Sequence, residues 1–255
     1  MFDLTGHRAL ITGGGGALGS AVAEAYLSTG SDVVIADAIA PRDLGERLRR
    51  DHPERSVDAV EFDVTDESAV IAGVEEARAL LGGTPDIVVT AAGIGQACRV
   101  EDMSGADWRH MIAVHLDGTF HVLRHTLSAM LEARWGRFVC FSSIAATEGV
   151  DAQAHYSAAK AGVEGLVRSL AAEVADRGVT VNAIAPGYFE STLNDLAPPE
   201  RLERLRANVP SRRFGDPREI GALAVYLSSP EASYLTGEVV SPNGGFHYNA
   251  LIARP

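Results

Sequence analysis

Arg8-Ala-Leu-Ile-Thr-Gly-Gly-Gly-Gly-Ala-Leu-Gly19 decides how this chain folds. An apolar run, Arg8 to Thr12, enters a block of glycines, and Leu18 to Ser28 leaves it with helical periodicity. A second apolar run, Asp32-Val-Val-Ile-Ala36, follows at once. The order is strand, glycine turn, helix, strand. Glycines permit the tight turn and let a bulky anion approach the backbone, while the helix N-terminus favours negative charge. In this context the run predicts a pyrophosphate cradle, where a glycine run alone would predict only a turn.

The next acid supports that reading. Asp37 ends the second run, 24 residues after Gly13. That is close to the ~20-residue spacing of a carboxylate that binds the adenosine ribose. It would repel a 2′-phosphate, and no Arg or Lys stands at 13–19, 38 or 39 to attract one. The expected cofactor is therefore NAD.

Continuing outward, Val57 to Phe62, Asp86 to Thr90, Gly136 to Phe141, Thr180 to Ile184 and Glu238 to Ser241 read as further strands. Helical stretches separate them, among them Ser68 to Leu81, Asp107 to Ala133 and Tyr156 to Arg177. Unbroken Val/Ile/Ala runs predict strands buried on both faces, hence a mainly parallel sheet in a doubly wound α/β fold. At 255 residues one domain spanning 1–255 is expected. Glu190 to Phe214 breaks the rhythm with Pro198-Pro199 and a short charged helix. It is expected to be a substrate flap.

A net charge of −12 argues against nucleic acid or an anionic membrane as partner. No apolar run reaches the ~18 residues needed to span a bilayer. Two cysteines, Cys98 and Cys140, form no disulfide framework, and Cys140 reads as core. A cytoplasmic protein is expected. No Cys/His cluster suggests a metal.

Tyr156-Ser-Ala-Ala-Lys160 carries the chemistry. Four-residue spacing puts the phenol and the ammonium on one helix face. A free tyrosine, with a pKa of about 10, is a poor acid or base near neutrality. A neighbouring cation is expected to lower that value and let the phenol exchange protons with a substrate oxygen.

With these motifs in order, the chain resembles the short-chain dehydrogenase/reductase family from about Leu4 to about Gly245. The family's Thr-Gly-x-x-x-Gly-x-Gly resembles Thr12 to Gly19, and its acid-Val pair after the third strand resembles Asp63-Val64. Its Asn-Asn-Ala-Gly resembles Thr90-Ala91-Ala92-Gly93. Its serine thirteen residues before the tyrosine is matched by Ser143, and its Asn and Pro-Gly by Asn182 and Pro186-Gly187. Arg213-Phe-Gly-Asp-Pro217 and Tyr234-Leu-Thr-Gly237 extend the likeness.

The resemblance implies a Rossmann-type, seven-stranded, mainly parallel sheet and a secondary alcohol–ketone oxidoreductase. It implies Tyr156 as acid/base, Lys160 as the group that lowers its pKa and binds the nicotinamide ribose, and Ser143 as the donor that holds the substrate oxygen. Gly13, Gly16, Leu18, Gly19, Asp37, Asp63, Val64, Ala92, Gly93, Tyr156, Lys160, Pro186, Gly187, Phe189, Ser191 and Thr192 are implied cofactor contacts. It further implies a homotetramer. A lyase or epimerase on the same site, or a non-catalytic NAD sensor, are the competing classes.

Three positions depart from the family. Ala17 replaces the middle glycine and is tolerable if its φ stays negative. Thr90-Ala91 replaces the asparagine pair, which suggests altered internal bonding. His115, in Ala113-Val-His-Leu-Asp117, stands where the family has an Asn that anchors a water next to the catalytic Lys. His115 is expected to join the catalytic group by keeping that proton path open. His155 is expected to face away from Tyr156 or to line the pocket edge, and no role is assigned to it. Gln96, Ile144, Glu148, Gln153 and Tyr188 are candidate substrate contacts. Glu148 and Gln153 suit a polyol, whereas Arg201, Arg204, Arg206, Arg212 and Arg213 suit an anionic tail or solvent.

Overall fold

A computed structural model describes residues 2–191 and 198–246. Its seven strands are β1 (Arg8–Thr12), β2 (Asp32–Asp37), β3 (Val57–Glu61), β4 (Ile87–Thr90), β5 (Gly136–Phe141), β6 (Val179–Ile184) and β7 (Val239–Val240). They form one sheet in the order β3-β2-β1-β4-β5-β6-β7, every pair parallel. All seven lie within two residues of the limits predicted from sequence.

Strand residues alternate between two buried layers, as the two-residue pleat demands. Leu10, Val34, Val88 and Phe138 face one core with α3 (Glu67–Leu80), α5 (Gly118–Ala133) and α7 (Ala154–Val174). Ile11, Ile35, Val89 and Val139 face the other, with α1 (Ala17–Ser28), α2 (Arg42–Asp51) and α9 (Pro217–Ser228). Tyr26 Oη and Ser228 Oγ, 2.7 Å apart, tie α1 to α9 inside that layer. The helix starts follow the sequence. Asp66 caps α3, Ser104 and Asp107 form a capping box on α4 (Gly105–Ile112), and Asp216 and Glu219 form one on α9.

The order reverses between β1 and β4, which opens a crevice at the carboxyl ends of the strands. Among the described residues no helix is long and apolar enough to cross a membrane.

One expectation is corrected. The helix read from Asp107 to Ala133 is interrupted by a π turn at Ala113–Asp117. Immediately after it Gly118 rests on Val64, where a Cβ would stand 2.6 Å from Cγ2. The Thr119 hydroxyl donates to the His115 carbonyl at 2.8 Å. The wide turn delivers His115 to the interior. A four-residue helix, α6 (Ala145–Glu148), also lies between β5 and α7 and was not foreseen.

Candidate active site

At the β1–α1 turn, Gly13 has φ +68, and a Cβ there would meet the Ala91 carbonyl at 2.4 Å. A Cβ on Gly19 would stand 2.2 Å from the Gly13 oxygen. Both glycines are sterically required. Gly16 is the N-cap of α1, and no side chain caps that helix or places an acid in its first turn. Its first N–H groups are thus available to an anion. Ala17 keeps a negative φ, as its tolerance required.

A cavity of about 250 Å³ adjoins this turn, lined by Gly13, Asp37, Asp63, Val64, Ala92 and Gly93 among others. Asp37 Oδ2 accepts from the Gly15 N–H at 3.2 Å and Oδ1 from Ala38 N–H at 2.9 Å. The carboxylate therefore leans across the glycine turn. A glycine turn, an uncapped helix and a carboxylate beside an adenine-sized cavity fit a dinucleotide. His110 and Ile94 also line the cavity, and the sequence reading did not include them.

The reacting groups gather where β5 ends beside α7. Ser143 stands beside the Tyr156 phenol, and its Oγ accepts from the Ala145 N–H at 3.1 Å. Lys160 is buried, and its ammonium donates to the Phe141 carbonyl at 2.7 Å. Burial pushes its pKa down to about 8, with Cys140 opposing. Lys160 is also the chain's single lysine, all other Lys/Arg positions being arginine. That scarcity is a signal the sequence reading did not use.

The expected effect of Lys160 on the tyrosine is corrected here. Burial raises the Tyr156 pKa, and the bond to Ser143 opposes the rise. The ammonium lies 5.7 Å from the phenol ring centre and spends a hydrogen bond on Phe141.

His115 stands at the same site with its ring edge-on to Tyr156, centroids 5.1 Å apart. Its Nε2 is 3.0 Å from the Ile94 carbonyl. Its Nδ1 is buried without a protein partner. Burial, then the Lys160 charge, hold its pKa down to about 3, so the ring is neutral near pH 7. The ring also fills the space beside Gly93, where a Cβ would meet it at 2.6 Å.

His155 differs from its expectation. It is fully buried, not at a pocket edge, and its Nδ1 accepts from the Tyr156 N–H at 3.0 Å. It serves the first turn of α7, whose N-cap Gln153 gives no side-chain bond.

The remaining candidates scatter more. Ile144 is buried, and its N–H donates to the Pro186 carbonyl at 3.2 Å. Gln96 Nε2 donates to Asp107 at 2.9 Å, so the α4 capping box holds that side chain. Tyr188 packs between Phe214 and Phe246 at 6.0 and 5.7 Å. Glu148 is exposed on α6 and Gln153 half-buried before α7. Gly187 lies so close to Asn243 that a Cβ would meet its Cα at 2.8 Å. Phe189 bridges to Gly215. Thr192 lies outside the described residues, as do residues 247–252 of the apolar tail. Further along the chain, α8 (Pro199–Asn208) leads into buried Val209 and Phe214. Arg206 sits over Phe214 and reaches Glu190, and Arg213 pairs with Glu219 at 2.7 Å.

The chain is similar in sequence and fold to known proteins. The family model described as Enoyl-(Acyl carrier protein) reductase matches residues 15–247. The 3-oxoacyl-(acyl-carrier-protein) reductase of Aquifex aeolicus is 36% identical over 244 residues, covering 95% of this chain and 98% of that protein. The enzyme of the same name from Vibrio cholerae is 36% identical, with 96% and 99% covered. A solved putative 2-deoxy-D-gluconate 3-dehydrogenase from Agrobacterium tumefaciens, with bound NADP, superposes with a TM-score of 0.88. It is 31% identical, with 96% and 98% of the two chains covered.

Proposed function

The chain belongs to the short-chain dehydrogenase/reductase family, oxidoreductases acting on CH–OH groups, and from that premise we propose that it interconverts a secondary alcohol and a ketone with NAD(H). The observation that carries this reading is the convergence of Ser143, Tyr156 and Lys160 where β5 meets α7, in the same strand-end crevice as the adenine-sized cavity. Bound there, the dinucleotide supplies the hydride acceptor or donor. Gly13, Gly16, Leu18 and Gly19 would hold its pyrophosphate, with Asp37 at the ribose and Asp63 and Val64 at the adenine. Ala92, Gly93, Pro186, Gly187, Phe189, Ser191 and Thr192 would line the remainder.

On oxidation Tyr156 takes the substrate hydroxyl proton, and on reduction it returns one to the ketone oxygen. Ser143 donates to that oxygen and fixes its position. Lys160 lies one turn below Tyr156 and contributes positive charge while it is protonated. His115, neutral and edge-on to Tyr156, offers Nδ1 to a water in the proton path, as acceptor when Nε2 donates to the Ile94 carbonyl and as donor when Nε2 accepts from the Ile94 N–H. Gln96, Ile144, Glu148, Gln153 and Tyr188 form the substrate wall in this reading, with residues 190–214 as a flap.

Three carboxylates support NAD over NADP. Asp37 and Glu61 are register partners at the ends of β2 and β3, Glu61 accepts from Ala40 N–H at 3.3 Å, and Asp63 follows. A 2′-phosphate placed there would meet like charge. The NADP in the Agrobacterium neighbour defines the opposite outcome. The test is NADH formation with NAD and with NADP over a panel of secondary alcohols, polyols and hydroxyacyl esters. NAD-dependent turnover that vanishes in Tyr156→Phe supports the proposal. Equal efficiency with NADP removes the cofactor assignment. Substrate loss without net NADH would move the chain to the lyase or epimerase class.

A second copy of the chain is the proposed protein partner, in a homotetramer in the cytoplasm. A groove of about 250 Å³ between α5 and α7 is lined by Leu123, Leu127, Leu166 and Leu170, with Phe120 half-exposed at its rim. Light scattering that gave a monomer at micromolar concentration would discard this assembly.

A further inference from the structure

α7 carries a third buried polar group that the reaction does not consume. Tyr156, Lys160, Glu164 and Arg168 recur every four residues on one face. Tyr156 and Lys160 serve the chemistry. Glu164 is only 5% exposed, and an isolated carboxylate there would be costly. Each of its oxygens is occupied. Oε2 accepts from Arg168 Nη2 at 3.0 Å, and Oε1 accepts from the Ser142 hydroxyl at 2.9 Å.

Ser142 directly precedes Ser143. Its Oγ is also 3.3 Å from the Lys160 carbonyl, so it lies against the turn of α7 that holds the lysine. Phe141, one residue earlier, accepts from the Lys160 ammonium. Two successive residues at the end of β5 are therefore fastened to α7, one through Lys160 and one through Glu164. The next residue is Ser143, and Tyr156, the phenol it stands beside, lies two turns before Glu164 on the same helix. The backbone N–H of Ser142 donates to Ile184 at 2.8 Å, which ties the segment to β6 but not to α7.

We propose that Glu164 is a positioning residue that acts through Ser142 to set the distance between Ser143 and Tyr156. It touches neither substrate nor cofactor. Arg168, about half exposed, neutralises the carboxylate from the solvent side. Without the Glu164–Ser142 bond the β5 end keeps the Lys160 rung and its tie to β6, but loses the rung nearest Ser143. Proton transfer and oxygen positioning then weaken together, while the distant cofactor crevice is untouched.

This inference rests on the dehydrogenase reading for its kinetic readout, so a second readout is independent of turnover. The variants are Glu164→Ala, Ser142→Ala, the double variant and Glu164→Gln, which keeps an acceptor for the Ser142 hydroxyl. We expect kcat to fall about tenfold in each single alanine variant, with the KM for NAD within twofold of the parent. The double variant should fall no further, because both changes remove one interaction. Glu164→Gln should recover most of kcat. Hydrogen exchange across 141–147 should rise in both alanine variants and not in the glutamine variant. Full kcat in Ser142→Ala, losses that multiply in the double variant, or unchanged exchange in both alanine variants would overturn the proposal. If Glu164→Ala does not fold, Ser142→Ala and Glu164→Gln decide alone. A parent without turnover but with the expected exchange pattern would retire the dehydrogenase reading and leave the brace standing.

Discussion

The two halves of the crevice are built by different means. The half under β1, β2 and β3 uses backbone: glycines without Cβ, an uncapped helix end, and carboxylates on the rim. The half under β4, β5 and β6 uses buried polar side chains: His115, Ser142, His155, Lys160 and Glu164. The first is shaped by what is absent and costs the fold little beyond glycine's lost entropy. The second takes ionisable groups out of water and holds them by a few bonds each. Damage to the first half should remove binding, and damage to the second should remove turnover while often relaxing the fold's own strain.

The sharpest break between the halves comes from Tyr156→Phe set against Gly13→Ala. Loss of the phenolic proton should lower kcat by roughly 10²–10⁴-fold. NADH binding, read by fluorescence, should be retained. Gly13→Ala should do the reverse and abolish binding, because its methyl meets the Ala91 backbone at 2.4 Å and its φ is +68. A Tyr156→Phe enzyme that cannot bind NADH would erase the distinction.

Lys160 gives the next largest effect and ties activity to stability. In an unfolded chain lysine keeps its proton to about pH 10.4. Here it keeps it only to about 8. Below pH 8 both states are protonated and the folded state bears the full cost of burial. Between 8 and about 10.4 only the unfolded state holds the proton, so stability climbs with pH, and above that the difference is gone. Lys160→Met should thus be inactive yet more stable at pH 7, by on the order of 1–2 kcal/mol after loss of the Phe141 bond. Because Lys160 is the only lysine, isotope-labelled lysine gives one side-chain signal, and its titration midpoint measures the pKa directly. A midpoint above 10 would refute the burial argument.

His115 should show a smaller, acid-side effect. Its ring titrates at about 6.5 unfolded but near 3 in place. Between those values only the unfolded state takes the proton, so stability falls as pH drops from 6.5 towards 3, by on the order of 3–5 kcal/mol. His115→Asn should flatten that limb of the denaturation curve. The water-path role makes a separate demand: the pH profile of kcat should change in His115→Ala. An unchanged profile would leave His115 as packing beside Gly93.

The backbone half was the more legible in sequence for a physical reason. Glycine spacing and unbroken Val/Ile runs are local, so Thr12 to Gly19 and all seven strands could be placed without tertiary knowledge. Tyr156 and Lys160 stood out by their four-residue spacing and Ser143 through a family pattern, none of them through its environment. What escaped depends on contacts distant in sequence. The π turn at Ala113–Asp117 follows from Gly118 seating on Val64, 54 residues away. The direction of the Tyr156 pKa depends on burial, with Ser143 opposing it. Nothing in the sequence marks Glu164, whose partner Ser142 lies 22 residues away.

His155 tests the comparison at its finest grain. A helix start normally draws its cap from the residue before it, and here Gln153 supplies none. The imidazole two residues later takes the Tyr156 N–H instead, which couples the anchoring of α7 to the backbone of the reacting tyrosine. If that bond only stabilises the helix, His155→Gln should cost about 0.5–2 kcal/mol in denaturant unfolding and leave kcat intact. If it also orients Tyr156, kcat should fall severalfold while NADH binding holds, as for the other polar residues of this half. The bond is made to the backbone of Tyr156 and leaves its phenol free to face Ser143. The geometry therefore favours the first result, with a kcat change below twofold. A tenfold loss would show that the bond to His155 orients Tyr156 as well as anchoring the helix.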